Sequence, residues 1–245
     1  MTTARASASE RVAWHDLECG GYRADLPLWR ELADAAGGPV LDLGAGTGRV
    51  ALDLAGRGHA VTALDRDAEL LNALRERAAG VPVQTVIADA RDFDLGRRFA
   101  LLLAPMQLVQ ILGGPDGRAA FLACARRHLE DGGLLAAALA SDLEVVEADE
   151  DALPLPDLRE IDGIVYSSRP VALRAAGEEF VIERVREVVD PSGNRRESHD
   201  EVHLDRLAPA RLQAEAAAAG LRPGEVCHIA ETDEHVASEV VLLHA

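Results

Sequence analysis

The chain predicts an α/β fold built on a doubly wound, mostly parallel sheet of seven strands, with an antiparallel insertion after the fifth strand. Short apolar runs of strand length alternate with amphipathic helical stretches from residue 40 to residue 140, the pattern of βα units stacked into a parallel sheet. The first run leads straight into a loop holding Gly44, Gly46 and Gly48, where the backbone turns sharply. Beyond residue 142 the alternation stops, and strand-like segments follow one another with turns between them.

Residues 1–38 are expected as an N-terminal helical cap. Helical periodicity recurs at Leu26, Trp29, Leu32, Ala33 and Ala36, and Gly37-Gly38-Pro39 ends it. Residues 39–141 are expected as the core, with strands near 40–43, 60–64, 83–88, 99–103 and 134–140 and helices near 48–56, 67–79 and 115–130. Residues 142–206 form the insertion. Its opening, Leu143 to Asp162, is acidic and carries Pro154 and Pro156, so a solvated loop is expected. Ile164–Val171 and Phe180–Val189 are strands, and Asp190-Pro191-Ser192-Gly193-Asn194 is a turn into another strand through Leu204. Residues 207–245 complete the core sheet: Pro209 opens a helix, Gly220 ends it, and residues 226–230 and 238–243 are closing strands.

Composition narrows the function. The 25 Lys and Arg against 42 Asp and Glu leave a net charge of −17, which repels a phosphate backbone and argues against nucleic-acid partners. Cys19, Cys124 and Cys227 are scattered and form no C-x-x-C pair, as in a reduced compartment. Residues 1–11 lack an apolar signal core, and the apolar run Leu101–Leu112 is too short to span a membrane. A cytoplasmic protein without a membrane partner is the expectation. His199 and His203 lack a third ligand nearby, so no metal site is expected.

The decapeptide Val40 to Arg49, VLDLGAGTGR, carries the chemistry. A helix opening at Arg49 aims unpaired N–H groups and the positive end of its dipole at whatever rests on the loop. The dinucleotide fingerprint G-x-G-x-x-G does not fit, because Gly48 comes one residue early. Asp42 is a carboxylate at the strand tip, suited to orienting an ammonium group.

Leu41-Asp42-Leu43-Gly44-Ala45-Gly46-Thr47-Gly48 resembles the first motif of class I S-adenosylmethionine-dependent methyltransferases, Rossmann-like proteins with bacterial small-molecule members. Later landmarks follow in order: Asp65 after the second strand, Asp89-Ala90 after the third, Ala104-Pro105-Met106 after the fourth, and Leu129 to Leu135 entering the fifth. The resemblance covers residues 10–141 well and the remainder in outline. It implies S-adenosylmethionine as cofactor, with S-adenosylhomocysteine as product. The implied contacts are Asp42, Gly44, Ala45, Gly46, Thr47 and Gly48 on the loop, Asp65 at the ribose, and Arg66 next to it in sequence. Asp89 and Ala90 are implied at the adenine, Ala104, Pro105 and Met106 at the cleft mouth, and Tyr22 at the cofactor carboxylate. Residues 142–206 would form a substrate lid. His15 and His235 are the candidates for a general base. The expected reaction moves a methyl group to an O, N or C nucleophile of a small metabolite by in-line displacement. One alternative is a protein of the same fold that binds the cofactor without transferring methyl. An NAD-dependent oxidoreductase fits less well, given the early Gly48 and the acid at Asp89.

Overall fold

The computed structural model describes residues 8–140, 143, 145, 154–232 and 235–245. Helix α1 (Ala8–Cys19) comes first, then α2 (Leu26–Ala36). Next, β1 (Val40–Leu43), α3 (Arg49–Gly56), β2 (Val61–Asp65), α4 (Ala68–Ala78) and β3 (Val83–Ile87) alternate. They are followed by β4 (Phe99–Ala104), α5 (Gly114–His128) and β5 (Leu129–Leu139). Four strands come after these, β6 (Asp157–Ile161), β7 (Ile164–Ala176), β8 (Glu179–Val189) and β9 (Arg195–Asp205). Helix α6 (Pro209–Ala218) and strands β10 (Arg222–Ile229) and β11 (Ser238–His244) close the chain.

These elements form two compact units, one of described residues within 22–143 and 206–245, the other of those up to 21 and within 144–205. The first holds a seven-stranded sheet in the order β10-β11-β5-β4-β1-β2-β3. Strands β1 to β5 pair in parallel, whereas β11 runs antiparallel to both β5 and β10. Every residue of β1 and β2 is buried, as required of parallel strands covered on both faces. Alternate side chains serve two layers. Val40, Ala63, Leu101 and Leu103 pack with Trp29, Leu54 and Leu74, while Leu41, Leu43, Leu64 and Leu102 pack with Phe121, Leu122 and Leu212. Fully burying one such Leu contributes about 1.5–3 kcal/mol before cavity effects. Local signals set the helix ends: Gly37 takes φ 60° after α2, and the Asp67 carboxylate accepts from the Glu69 and Leu70 N–H groups at the start of α4.

The second unit is a four-stranded antiparallel sheet, β6-β7-β8-β9, with α1 against it. Its apolar centre is small: Ala13 and Trp14 of α1 meet Tyr166, the Trp14 and Tyr166 rings edge to face at 5.2 Å. Ion pairs supply much of the remaining definition. Glu18 holds Arg186, and Glu10 holds Arg196.

Several boundaries differ from the sequence reading. The expected cap over residues 1–38 is divided, with α1 in one unit and α2 in the other. Strand β6 lies inside the stretch read as a solvated loop; it pairs with β7 although most of its residues are exposed, so no buried periodicity betrays it. Residues 141, 142, 144 and 146–153 of that region lie outside the described residues. Strand β5 begins at Leu129 rather than near 134: Leu129 already pairs with Phe99, and the register then shifts before Leu101 pairs with Leu134, with Gly132 (φ 79°) in the irregular stretch.

Candidate functional site

The glycine loop is shaped by its neighbours. Gly44, Gly46 and Gly48 all have positive φ, at 67°, 54° and 93°. A Cβ at Gly48 would stand 2.7 Å from Leu74 Cγ and 3.0 Å from Leu52 Cγ, so only glycine lets α3 pack this closely. The loop is fastened to β2: the Ala45 N–H donates to the Leu64 carbonyl (3.0 Å), and the Gly46 N–H donates to Asp65 Oδ2 (2.8 Å). No side chain caps α3, and its N-terminal end carries the positive pole of the helix dipole.

Three acids occupy the carboxyl ends of adjacent strands. Asp42 pairs in register with Ala63 and Leu103, Asp65 pairs with Ile87, and Asp89 follows two residues after Ile87. Their environments differ. Asp42 is 1% exposed, and neither carboxylate oxygen has a hydrogen-bond partner of normal geometry among the described residues. Burial pushes its carboxyl up to about 7, against the pull of the Arg49 charge and the Ala51 amide. Asp65 is occupied on both oxygens, by the Gly46 N–H and by the Asp67 N–H (2.8 Å). Asp89 is half-exposed, and its carboxyl is held down at about 2, chiefly by hydrogen bonds from Arg91.

A buried network joins the start of α2 to the start of α3. Arg49 donates to both oxygens of Asp25 (2.5 and 2.7 Å) and to the Tyr22 carbonyl, and its guanidinium lies 5.3 Å from the Tyr22 ring centroid. Trp29 Nε1 also donates to Asp25, at 2.7 Å. Tyr22 is buried, its hydroxyl 3.4 Å from Ser238 Oγ and its ring 4.8 Å from that of His235. Asp25 is central here and escaped the sequence reading. No motif marks it, and its Arg49 partner lies 24 residues away.

The remaining expected residues lie as follows. Thr47 and Ala45 are buried in the loop, and Arg66 is exposed just past Asp65. Ala90 is buried, as are Ala104 and Pro105 at the end of β4, and Met106 takes φ 55°, an unusual value for a residue with a side chain. The Leu108 side chain lies where a Cβ on Gly44 would reach, at 3.1 Å. Gln110, also unforeseen, is 1% exposed and grips both polar groups of Ala140: Nε2 donates to its carbonyl at 3.0 Å, and Oε1 accepts from its N–H at 2.8 Å. His15 lies on α1 in the other unit, partly buried. Among the described residues no group of three or more His, Cys, Asp or Glu is placed to hold a metal ion.

Residues 40–133 match the Methyltransferase domain family. Ribosomal RNA small subunit methyltransferase A of Deinococcus radiodurans is 41% identical over 77 residues, which are 30% of this chain and 26% of that protein. The chain thus spans about a quarter of the length of the curated relatives it matches. The CcbJ methyltransferase from Streptomyces caelestis superposes with a TM-score of 0.70 at 25% identity, covering 92% of this chain and 91% of that one. SAM-bound CalS10, an amino pentose methyltransferase from Micromonospora echinaspora, gives a TM-score of 0.68 at 21% identity, covering 99% of each chain. The strand order, the glycine loop at the tip of β1 and the solved neighbours agree on the class I methyltransferase fold, and the family match falls on the segment that carries that loop.

Proposed function

We propose that the chain is an S-adenosylmethionine-dependent methyltransferase acting on a small-molecule acceptor, and the unpartnered Asp42 carboxylate is the observation that carries this reading. A buried carboxylate without a well-placed donor is costly, and a ligand ammonium supplies both charge and N–H groups. Asp65 fits the ribose: each oxygen accepts one backbone N–H and keeps a second acceptor position, enough for two hydroxyls. Asp89 and Ala90 suit the adenine; Tyr22, Thr47, Arg66, Ala104, Pro105 and Met106 complete the proposed set. Bound S-adenosylmethionine supplies an electrophilic sulfonium methyl. The chain's own work is to hold that ligand, align an acceptor and exclude water.

His235, ring to ring with Tyr22, is the proposed base for an acceptor that must lose a proton, with His15 the second candidate. An amine in its free-base form needs neither. Residues 142–206 are proposed to select the acceptor, and residues 39–141 and 207–245 to bind the cofactor. The charge of −17 disfavours RNA as that acceptor, although the curated relatives act on it. A cytoplasmic setting accompanies the reading, and no described helix is long and apolar enough to cross a membrane.

Calorimetry tests the binding step. Micromolar affinity for S-adenosylmethionine and S-adenosylhomocysteine is expected, with a loss on the order of 10- to 100-fold in Asp65→Ala. Methyl-labelled cofactor incubated with amino sugars and glycopeptides, the substrates named for fold neighbours, then tests transfer. Label in a product with matching S-adenosylhomocysteine supports the enzyme. Binding without transfer to any acceptor favours the non-methylating alternative, and no binding ends both readings.

A further inference from the structure

Arg91 uses its guanidinium and its own backbone on a single carboxylate. Its backbone N–H and its Nε each donate to Asp89 Oδ1 at 2.9 Å, and Nη2 donates to Asp89 Oδ2 at 2.7 Å. The remaining arm, Nη1, reaches the Leu112 carbonyl at 3.2 Å, on the loop between β4 and α5. Each carboxylate oxygen has two acceptor positions. Oδ1 therefore has both filled, and Oδ2 has one filled. The side chains are 41% and 37% exposed, so the pair adds little to stability by itself. Its geometry is nonetheless the bidentate fork that fixes a carboxylate in one orientation, which Lys does not reproduce.

We propose that Arg91 is a positioning residue for adenine recognition, immobilising Asp89 so that one acceptor position, on Oδ2, is offered to the exocyclic amino group. This rests on the cofactor reading given above. One N–H of the amino group satisfies the single vacant position. A keto oxygen in its place sets lone pair against lone pair, so the site rejects a deaminated ring. The Leu112 contact ties the same carboxylate to the loop bearing Ala104-Pro105-Met106 at its start, which keeps Asp89 from swinging toward solvent when the site is empty.

The test compares S-adenosylhomocysteine with S-inosylhomocysteine, which carries a keto oxygen where adenine has its amino group, by calorimetry on the full chain. The wild type is expected to favour the adenosyl ligand on the order of 10- to 100-fold. Arg91→Ala is expected to reduce that preference to within about threefold of unity, mainly by weakening the adenosyl ligand, and Arg91→Lys to restore only part of it. A merely structural role moves both affinities together and leaves the ratio alone. An unchanged ratio in Arg91→Ala, or no preference in the wild type, overturns the proposal while leaving the cofactor reading intact. Failure of the wild type to bind S-adenosylhomocysteine removes both. A thermal melt of each variant identifies loss of fold, in which case Arg91→Lys decides: a full wild-type preference there overturns the proposal.

Discussion

Asp42, buried, and Glu18, largely shielded from solvent, are two carboxylates with opposite fates. Glu18, 11% exposed in the α1 and antiparallel-sheet unit, accepts from Ser168 Oγ (2.8 Å) and from Arg186 Nε and Nη2 (2.7 Å each). Burial works to raise its pKa, yet the hydrogen bonds and charge of Arg186, with Arg184 and Ser168, outweigh it and hold the group below its ordinary value. Asp42, in the unit with the seven-stranded sheet, has no such partner, and burial dominates. A charge saturated by its own chain holds structure together, whereas one left unsaturated marks where a ligand completes the chain.

The contrast is broken most severely at the loop above Asp42. Gly48→Val forces a β-branched residue to φ 93° and into Leu74 and Leu52. A destabilisation of about 3 kcal/mol or more is expected, with loss of S-adenosylhomocysteine binding. Urea unfolding and calorimetry measure both, and retained binding would separate the loop from the ligand.

Asp42→Asn comes next. Because the folded-state pKa of about 7 lies above the ordinary carboxylate value of 3.8, the fold holds the extra proton between those limits. Stability therefore falls as pH rises through that window, by roughly 4 kcal/mol at most from this group. The variant is expected to be more stable than the wild type at pH 8, with the gap closing toward pH 4 in denaturant titrations. S-adenosylmethionine binding to the wild type at pH 6.5 is expected to release most of a proton, seen as a buffer-dependent binding heat, and the variant to release none.

Glu18→Ala gives the smallest change and sharpens the comparison from the other side. It leaves Arg186 with Asp200, at 2.9 Å, and the face of the Trp14 ring, and is expected to cost about 2 kcal/mol in urea unfolding. Affinity for S-adenosylhomocysteine should stay within about twofold of wild type, because Glu18 is saturated within its own unit. A loss as large as that of Asp42→Asn would erase the distinction.

What was legible in the sequence was local. The strand, glycine turn and helix from Val40 to Gly56 lie in one continuous stretch, and the acids Asp65 and Asp89 stand at strand ends that periodicity alone places. The unreadable parts depend on pairings between distant positions. Arg91 reaching Leu112, Arg49 reaching Asp25 and Gln110 reaching Ala140 leave no spacing signal, since each partner is set by how the sheet edges assemble. Strand β6 was hidden for a different reason: an exposed edge strand has no buried face to impose alternation.

The grip of Gln110 on Ala140 gives the fold a modular seam. The amide occupies the main-chain groups one residue past the last position of β5, using a side chain that precedes the strand in the chain, while β11 pairs with the strand itself. On the return, Leu207 is already buried in the same core as α6 begins. The sheet of this unit is thus fastened on both sides of the intervening segment, by Gln110 past the end of β5 and by Leu207 just before α6.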